Sequence, residues 1–157
     1  MRKSPRSKRK PARCLLIESN RGNIMITGLD HIAIAVPDLE KSITRFAEDF
    51  GLNFKGKEDV AAAKTSTAFF PLDQPSIELI HPLNGEGPVQ KFIDKKGGGM
   101  HHLCFRSDDI EADIERLKAK GYEFLSDAPT VGAHNCRVIF IHPKSCDGVL
   151  VELNQPM

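Results

Sequence analysis

Residues 97–110 read GGGMHHLCFRSDDI, and this stretch decides how the chain is organised. A glycine run and a histidine pair open a short apolar strand, which leads into an acidic helix start. Residues 30–39 read DHIAIAVPDL and follow the same plan, with His31 lying 71 positions before His102. A strand that begins with His and runs into an Asp-capped helix therefore occurs twice, which indicates internal duplication.

Hydrophobic periodicity extends the duplication over two units, at about residues 26–83 and 98–155. In the first unit a strand over 29–36 leads into a helix with a single apolar stripe, formed by Leu39, Ile43, Phe46 and Phe50. A polar loop is predicted over 55–64, with strands at 52–54, 65–70 and 76–80. In the second unit a strand at 102–106 and a helix over 109–120 precede strands at 122–125, 137–141 and 149–153. Each unit thus has the order β-α-β-β-β.

We therefore predict an α+β fold. The two β-α-β-β-β modules should form one curved, half-open mixed sheet with the helices on its convex side. A length of 157 residues and a hydrophobic content of 40% suit a single domain, which we assign to residues 26–157. No apolar run approaches the ~20 residues of a membrane span, so no membrane partner is expected.

The net charge of +1 hides an asymmetry between the ends of the chain. Residues 1–24 hold eight Lys or Arg and one acidic residue, whereas residues 25–157 hold 14 basic and 20 acidic residues. An acidic folded part argues against nucleic acid as a partner. The four cysteines lack Cys-x-x-Cys spacing, which favours free thiols in a reducing compartment.

Residues 1–25 read as a disordered basic extension, for which three interpretations stay open. The segment is Arg- and Ser-rich and nearly free of acids, as an organelle transit segment would be. It is also compatible with an arm that touches nucleic acid, or with a mis-assigned start upstream of Met25. The expected location is the cytoplasm, or the mitochondrial matrix if the segment is a transit peptide.

Strand alternation predicts where the polar side chains of the two modules point. Ile77 and Leu79 share one face of their strand, as do Val151 and Leu153, and both pairs should pack under helices. The opposite, concave face then receives two histidines and two carboxylates, namely His31, Glu78, His102 and Glu152. His101 is expected to face outward, as the neighbour of His102.

Two imidazoles and two carboxylates at matching positions of a repeat can converge on a pseudo-twofold centre. Such a donor set suits one divalent first-row ion per chain, Co, Ni, Mn, Zn or Fe(II). A structural site would more often use thiolates, so this set favours Lewis-acid chemistry with open coordination positions.

These residues resemble those of the vicinal oxygen chelate superfamily, and within it the methylmalonyl-CoA epimerase family. The matching stretches span most of residues 26–155 and comprise 29–36 (LDHIAIAV), 77–83 (IELIHPL), 98–102 (GGMHH), 131–134 (VGAH), 142–145 (HPKS) and 148–153 (GVLVEL). The MHH and HPKS blocks are characteristic of the epimerase branch.

The resemblance implies a metal held by His31, His102 and Glu152, with Glu78 at a position that carries Glu or Gln in the family. It implies inversion at C2 of methylmalonyl-CoA, or of ethylmalonyl-CoA, through a metal-stabilised enediolate. It also implies an acyl-CoA thioester as substrate and a homodimer. At the position of Thr67, some relatives carry an acidic residue that is a candidate for the catalytic base. The hydroxyl group of Thr67 cannot accept a proton at neutral pH. Glu152 and Glu78 therefore remain as the catalytic acid–base candidates.

Two other functions are compatible with the same pattern. One is a glyoxalase I-like lyase or isomerase, against which the His-His pair and the HPKS block weigh. The other is a metal-free small-molecule-binding protein of the same fold, which the retention of four ligand-type residues opposes.

Overall fold

The computed structural model describes residues 26–157, so the expectations for residues 1–25 lie outside the described part of the chain. Its strands are β1 (Ile26–Ala35), β2 (Lys57–Val60), β3 (Thr65–Phe70), β4 (Ser76–Pro82), β5 (Gly99–Ser107), β6 (Thr130–Val131), β7 (Cys136–Ile141) and β8 (Val151–Pro156). Its α-helices are α1 (Leu39–Thr44), α2 (Pro88–Lys96) and α3 (Ile110–Ala119). Within these residues, no helix has the length and apolarity needed to span a membrane.

All eight strands belong to one curled mixed sheet, in the order β2-β3-β4-β1-β5-β8-β7-β6. Each module contributes four neighbouring strands, and its first strand runs parallel to its last, β1 to β4 and β5 to β8. The modules meet where β1 and β5 pair antiparallel at the centre of the sheet. The first strands of both modules, which carry His31 and His102, are therefore neighbours. The predicted duplicated half-open sheet is confirmed.

Helices α1 and α3 cover equivalent places on the convex face. The Asp38 carboxylate caps α1 by accepting from the Lys41 backbone N–H, and Asp109 caps α3 by accepting from Ala112 N–H. A π-helical turn over Arg45–Asp49 extends α1. The core beneath α1 includes Val36, Phe70 and Leu79, and the core beneath α3 consists of Ile110, Ile114, Leu117, Ile139, Ile141, Val151 and Leu153.

The connecting helix α2 packs on the other face of the sheet. Its apolar residues Val89, Phe92 and Ile93 contact Ala33, Ala35 and Ile80. Ala33 and Ala35 alternate with the convex-face residues of β1, so α2 covers one end of the concave face. Of the three α-helices in the described residues, α1 and α3 thus lie on the convex side, and the linker helix α2 closes one end of the half-barrel.

Two predicted strands differ from the structure. Residues 52–54 form no strand, and Leu52 packs into the core beneath α1. The outer strand of the first module is instead Lys57–Val60, inside the predicted polar loop, where it pairs with β3. Edge strands commonly carry charged side chains, so this strand lacks the alternation of apolar residues by which strands are predicted. Residues 122–125 likewise contribute only one isolated bridge, between Phe124 and Ile141.

Candidate metal centre

Two histidines from different modules meet on the concave face. His31 lies on β1 and His102 on β5, and their Nε2 atoms are 3.2 Å apart. The two rings meet edge to face, and both residues are buried. The central β1–β5 pairing brings them together, since Ala33 stands opposite His102 and His31 stands opposite Cys104.

Glu152 on β8 completes a group of three donors. Its Oε2 atom lies 2.7 Å from Nε2 of His102 and 3.6 Å from Nε2 of His31. Burial opposes its ionisation, but hydrogen bonds with His102 and His31 outweigh burial and lower the pKa of Glu152 to about 2. Burial likewise opposes a charge on His31, but hydrogen bonds with Asp30, Cys104 and Glu152 raise its pKa well above the usual range. An anionic carboxylate thus faces a cationic imidazole.

Glu78 lies on the other side of His31. Its Oε1 atom is 3.4 Å from Nδ1 of His31, whereas the three-donor group forms around Nε2. Burial raises the pKa of Glu78 to about 7, against the opposing attraction of His31. Of the four residues predicted to converge, the structure brings His31, His102 and Glu152 into one group and sets Glu78 beside it.

The three donors fit a divalent ion. Ligand atoms bound to one ion at about 2.1 Å cannot lie more than about 4.2 Å apart. The three separations of 3.2, 2.7 and 3.6 Å satisfy this limit. Two imidazole nitrogens and a carboxylate oxygen, all buried, are a donor set of the kind that catalytic ions of this class use.

His101 faces the site, and the expectation that it points outward is wrong. Its Nδ1 atom lies 2.8 Å from Nδ1 of His102, and the two ring centroids are 5.1 Å apart. Burial, together with repulsion from His102, lowers the pKa of His101 to about 4. Ala33 of β1 pairs with His102 of β5, and the next residue, Ile34, pairs with Met100. His101 is therefore the extra residue of a β-bulge in β5. The bulge interrupts the alternation on which the prediction depended.

Asp30 occupies the matching position in the first module, again at a bulge. Leu29 pairs with Phe105 and His31 with Cys104, which leaves Asp30 as the extra residue of β1. The Oδ1 atom of Asp30 is 3.0 Å from Nδ1 of His31. A hydrogen bond with His31, with help from Arg106, lowers the pKa of this carboxyl group despite burial. The residue before each ligand-type histidine thus contacts the Nδ1 atom of that histidine.

Arg106 and Asn154 hold the Asp30 carboxylate in place. Arg106 donates to Oδ2 of Asp30 from Nε at 3.0 Å and from Nη2 at 2.6 Å. Asn154 donates to Oδ1 from Nδ2 at 3.3 Å. Among the described residues, Oδ1 of Asn154 is a buried acceptor without a protein partner. It is free to accept from a donor in the cleft.

The whole constellation lines a cleft of about 1130 Å³ on the concave face. Its walls are mainly apolar and include Ile80, Val138, Phe140 and Leu150. Thr67 and His134 also line the cleft. The His134 ring packs on the ring of Phe69, with the two ring centroids 4.1 Å apart. A large apolar cleft with a few buried polar groups at one place is the usual form of a small-molecule site.

Comparison with known proteins agrees with the fold. Residues 30–140 match the glyoxalase/bleomycin resistance protein/dioxygenase superfamily. This match covers well over half of the chain, and the chain belongs to that superfamily.

Individual relatives narrow the class. The chain is 43% identical over 128 residues to the mitochondrial methylmalonyl-CoA epimerase of Mus musculus, covering 81% of this chain and 72% of the relative. It is 41% identical over 133 residues to the ethylmalonyl-CoA/methylmalonyl-CoA epimerase of Cereibacter sphaeroides, covering 83% of this chain and 99% of the relative. A solved methylmalonyl-CoA epimerase in complex with methylmalonyl-CoA and NH4+ superposes with a TM-score of 0.80 at 30% identity, covering 83% of this chain and 95% of that one. Within the superfamily, this chain is an enzyme of the methylmalonyl-CoA epimerase type.

Sequence reasoning missed the residues that surround the three donors. Asp30 and His101 gave no periodic signal of a role in the site, whereas strand alternation places Arg106 on the face of His102 and Asn154 on the face of Glu152. The available signal was positional, because Asp30 and His101 each precede a ligand-type histidine in the internal repeat. Their side chains reach the site only because both strands bulge there.

Proposed function

We propose that this protein is a divalent-metal-dependent epimerase that inverts C2 of methylmalonyl-CoA. The buried group of His31, His102 and Glu152 in the large cleft carries the proposal. The epimerase relatives, one of them solved with methylmalonyl-CoA, support the choice of substrate. Ethylmalonyl-CoA is proposed as a second substrate, since the Cereibacter sphaeroides relative is named for both thioesters.

His31, His102 and Glu152 would hold the ion, with Glu78 close to it. A bound divalent ion supplies Lewis-acid stabilisation of the negative charge that develops on a thioester oxygen when the neighbouring carbon loses its proton. The protein surrounds this chemistry with apolar walls from Ile80, Val138 and Phe140, and a bound thioester would displace water from between them. Exclusion of water strengthens each electrostatic contact inside the cleft.

Glu78 and Glu152 are assigned the proton transfers on opposite faces of C2. Glu78 is the better general base, because a pKa of about 7 matches a proton acceptor that works near neutral pH. Its carboxyl group also lies outside the three-donor group, so it would not be a direct ligand of a bound ion. Glu152 has a pKa of about 2 while it contacts the histidines, so it needs release from them before it accepts a proton.

Exchange of the C2 proton of methylmalonyl-CoA in D₂O, followed by NMR, tests the proposal. We expect rapid exchange with Co²⁺, none after chelation of the metal, and recovery when Co²⁺ is restored. Glu78→Gln should slow the exchange by at least about 100-fold, the typical contribution of a general base. Glu115→Gln, at an exposed position of α3, is the matched control and should leave the rate unchanged. Absence of exchange in the cobalt-loaded parent protein would defeat the proposal.

The homodimer is proposed from the family resemblance. Light scattering on the purified protein at micromolar concentration tests it, with a mass near 35 kDa expected, twice the 17.4 kDa of one chain. A mass of one chain would contradict it.

A further inference from the structure

Two of the three register shifts in the β1–β5 ladder are bulges beside a ligand-type histidine, one in each module, and both have the same effect. A bulge inserts one residue on one strand and turns its side chain away from the regular alternation. In β1 the inserted residue is Asp30, and in β5 it is His101. Each therefore shares the concave face with the histidine that follows it, although neighbouring residues of a regular strand face opposite sides.

Both inserted side chains contact the same atom of their histidine. Asp30 reaches Nδ1 of His31 at 3.0 Å, nearer than Glu78 at 3.4 Å. His101 reaches Nδ1 of His102 at 2.8 Å. In both histidines the other nitrogen, Nε2, faces the three-donor group. A histidine that offers the Nε2 lone pair to an ion carries its proton on Nδ1, so it must donate from that atom.

The two acceptors differ in charge and in support. Asp30 is a carboxylate fixed by Arg106 and Asn154. His101 must accept through an unprotonated Nδ1, and its ring packs edge to face on Phe92 at 4.9 Å. A carboxylate that accepts a hydrogen bond from a ligating imidazole makes its other nitrogen a stronger electron-pair donor to the metal ion than a neutral acceptor does. His31 in the first module is therefore held by a charged carboxylate, whereas His102 in the second module is held by the neutral ring of His101.

We propose that Asp30 and His101 are the paired positioning residues of the centre, which the two bulges aim at Nδ1 of His31 and His102. They fix the ring orientation and the Nδ1–H tautomer, so that both Nε2 lone pairs point at one place. Because its partner His101 is neutral, His102 is a weaker electron-pair donor to the ion than His31. This inference rests on the proposed metal site, and it assigns a role to residues outside the ligand set.

Variants of His101 provide the test, with Co²⁺ as the probe and affinity measured by competition with a chelator. His101→Phe keeps a ring beside Phe92 but removes the acceptor, and should weaken cobalt binding about 10- to 100-fold. His101→Asn restores a short acceptor and should recover most of the affinity. His101→Asp copies the first module and should bind cobalt more tightly than His101→Asn. The unfolding midpoint of each metal-free variant reports separately on folding.

The outcomes separate this inference from the proposed function. If the parent protein binds no cobalt, the metal site itself fails. If the parent binds cobalt and His101→Phe binds it equally well, only the positioning role is overturned. Should His101→Phe fail to fold, the comparison of His101→Asp with His101→Asn decides, and equal affinities would overturn the proposal.

Discussion

His31 and His102 stand 71 residues apart in the chain, and their Nε2 atoms lie 3.2 Å apart in the folded protein. Two imidazoles cannot both turn an Nε2 lone pair toward each other at this distance without repulsion, so at least one of the two nitrogens carries a hydrogen unless an ion lies between them. A proton on His31 meets this condition in the absence of an ion, which agrees with the raised pKa of that residue. A divalent ion would take the place of that proton.

Metal binding should therefore release a proton. His31 is protonated across neutral pH because hydrogen bonds with Asp30, Cys104 and Glu152 outweigh its burial and raise its pKa. A ligating histidine must be neutral, so we expect the Co²⁺ affinity to rise by about tenfold per pH unit between about pH 6 and pH 8. Chelator competition at several pH values measures this, once corrected for protonation of the chelator. The same affinity at both ends of the range would contradict it.

Glu78→Gln should stabilise the metal-free protein at high pH. Burial raises the pKa of Glu78 from 4.5 to about 7, so the fold favours its neutral form. Below pH 4.5 the carboxyl group is protonated in both the folded and the unfolded chain, and it carries no cost. As the pH rises to about 7, the unfolded chain ionises first, and the folded state loses up to about 3 kcal/mol.

Urea unfolding of the metal-free protein at pH 4.5 and pH 8 tests this prediction. Glu78→Gln should gain up to about 3 kcal/mol over the parent at pH 8 and almost nothing at pH 4.5. Glu115→Gln, on the exposed side of α3, is the control and should show no pH-dependent difference. A gain at pH 4.5 equal to the gain at pH 8 would rule out ionisation as the cause.

Gly98 and Gly99 offer a matched test of the junction between the modules. Both have φ of +116°, which is strained for any residue with a side chain. A Cβ on Gly98 would lie 2.9 Å from the carbonyl oxygen of Ala35, whereas a Cβ on Gly99 would meet nothing within 4 Å. Gly99→Ala should therefore cost about 1–3 kcal/mol from strain alone, and Gly98→Ala should cost more. Equal free energies of unfolding would show that the close approach is unimportant.

Leu79 and Leu153 occupy equivalent strands beneath α1 and α3. Both side chains are fully buried, and each belongs to the apolar core of its own module. Truncation to Ala should cost about 2–5 kcal/mol at either position, since each change leaves a cavity under a helix. Urea unfolding measures the cost, and Leu72→Ala, at an exposed position, should change stability by less than about 0.5 kcal/mol. A cost below about 1 kcal/mol at one position would argue against equivalent cores.

The repeat, the module helices and the inward strand positions could all be read from the sequence. Alternation depends on backbone geometry within one strand, so Leu79 and Leu153 were assigned to the core, and Glu78 and Glu152 to the concave face, from local pattern alone. The polar edge strand Lys57–Val60 was not predicted, because its side chains do not alternate between apolar and polar. Its strand character comes from backbone pairing with β3.

Local sequence thus determined which side chains enter the concave face from regular strands, because the period of a strand is a property of its own backbone. Only the tertiary structure decided which of them meet. Glu78 stands at Nδ1 of His31 rather than within the three-donor group, because the position of β4 beside β1 sets its reach. Asp30 and His101 face the site because the register between β1 and β5 shifts at both residues. A register shift is a property of two strands distant in sequence, so no local pattern of either strand contains it.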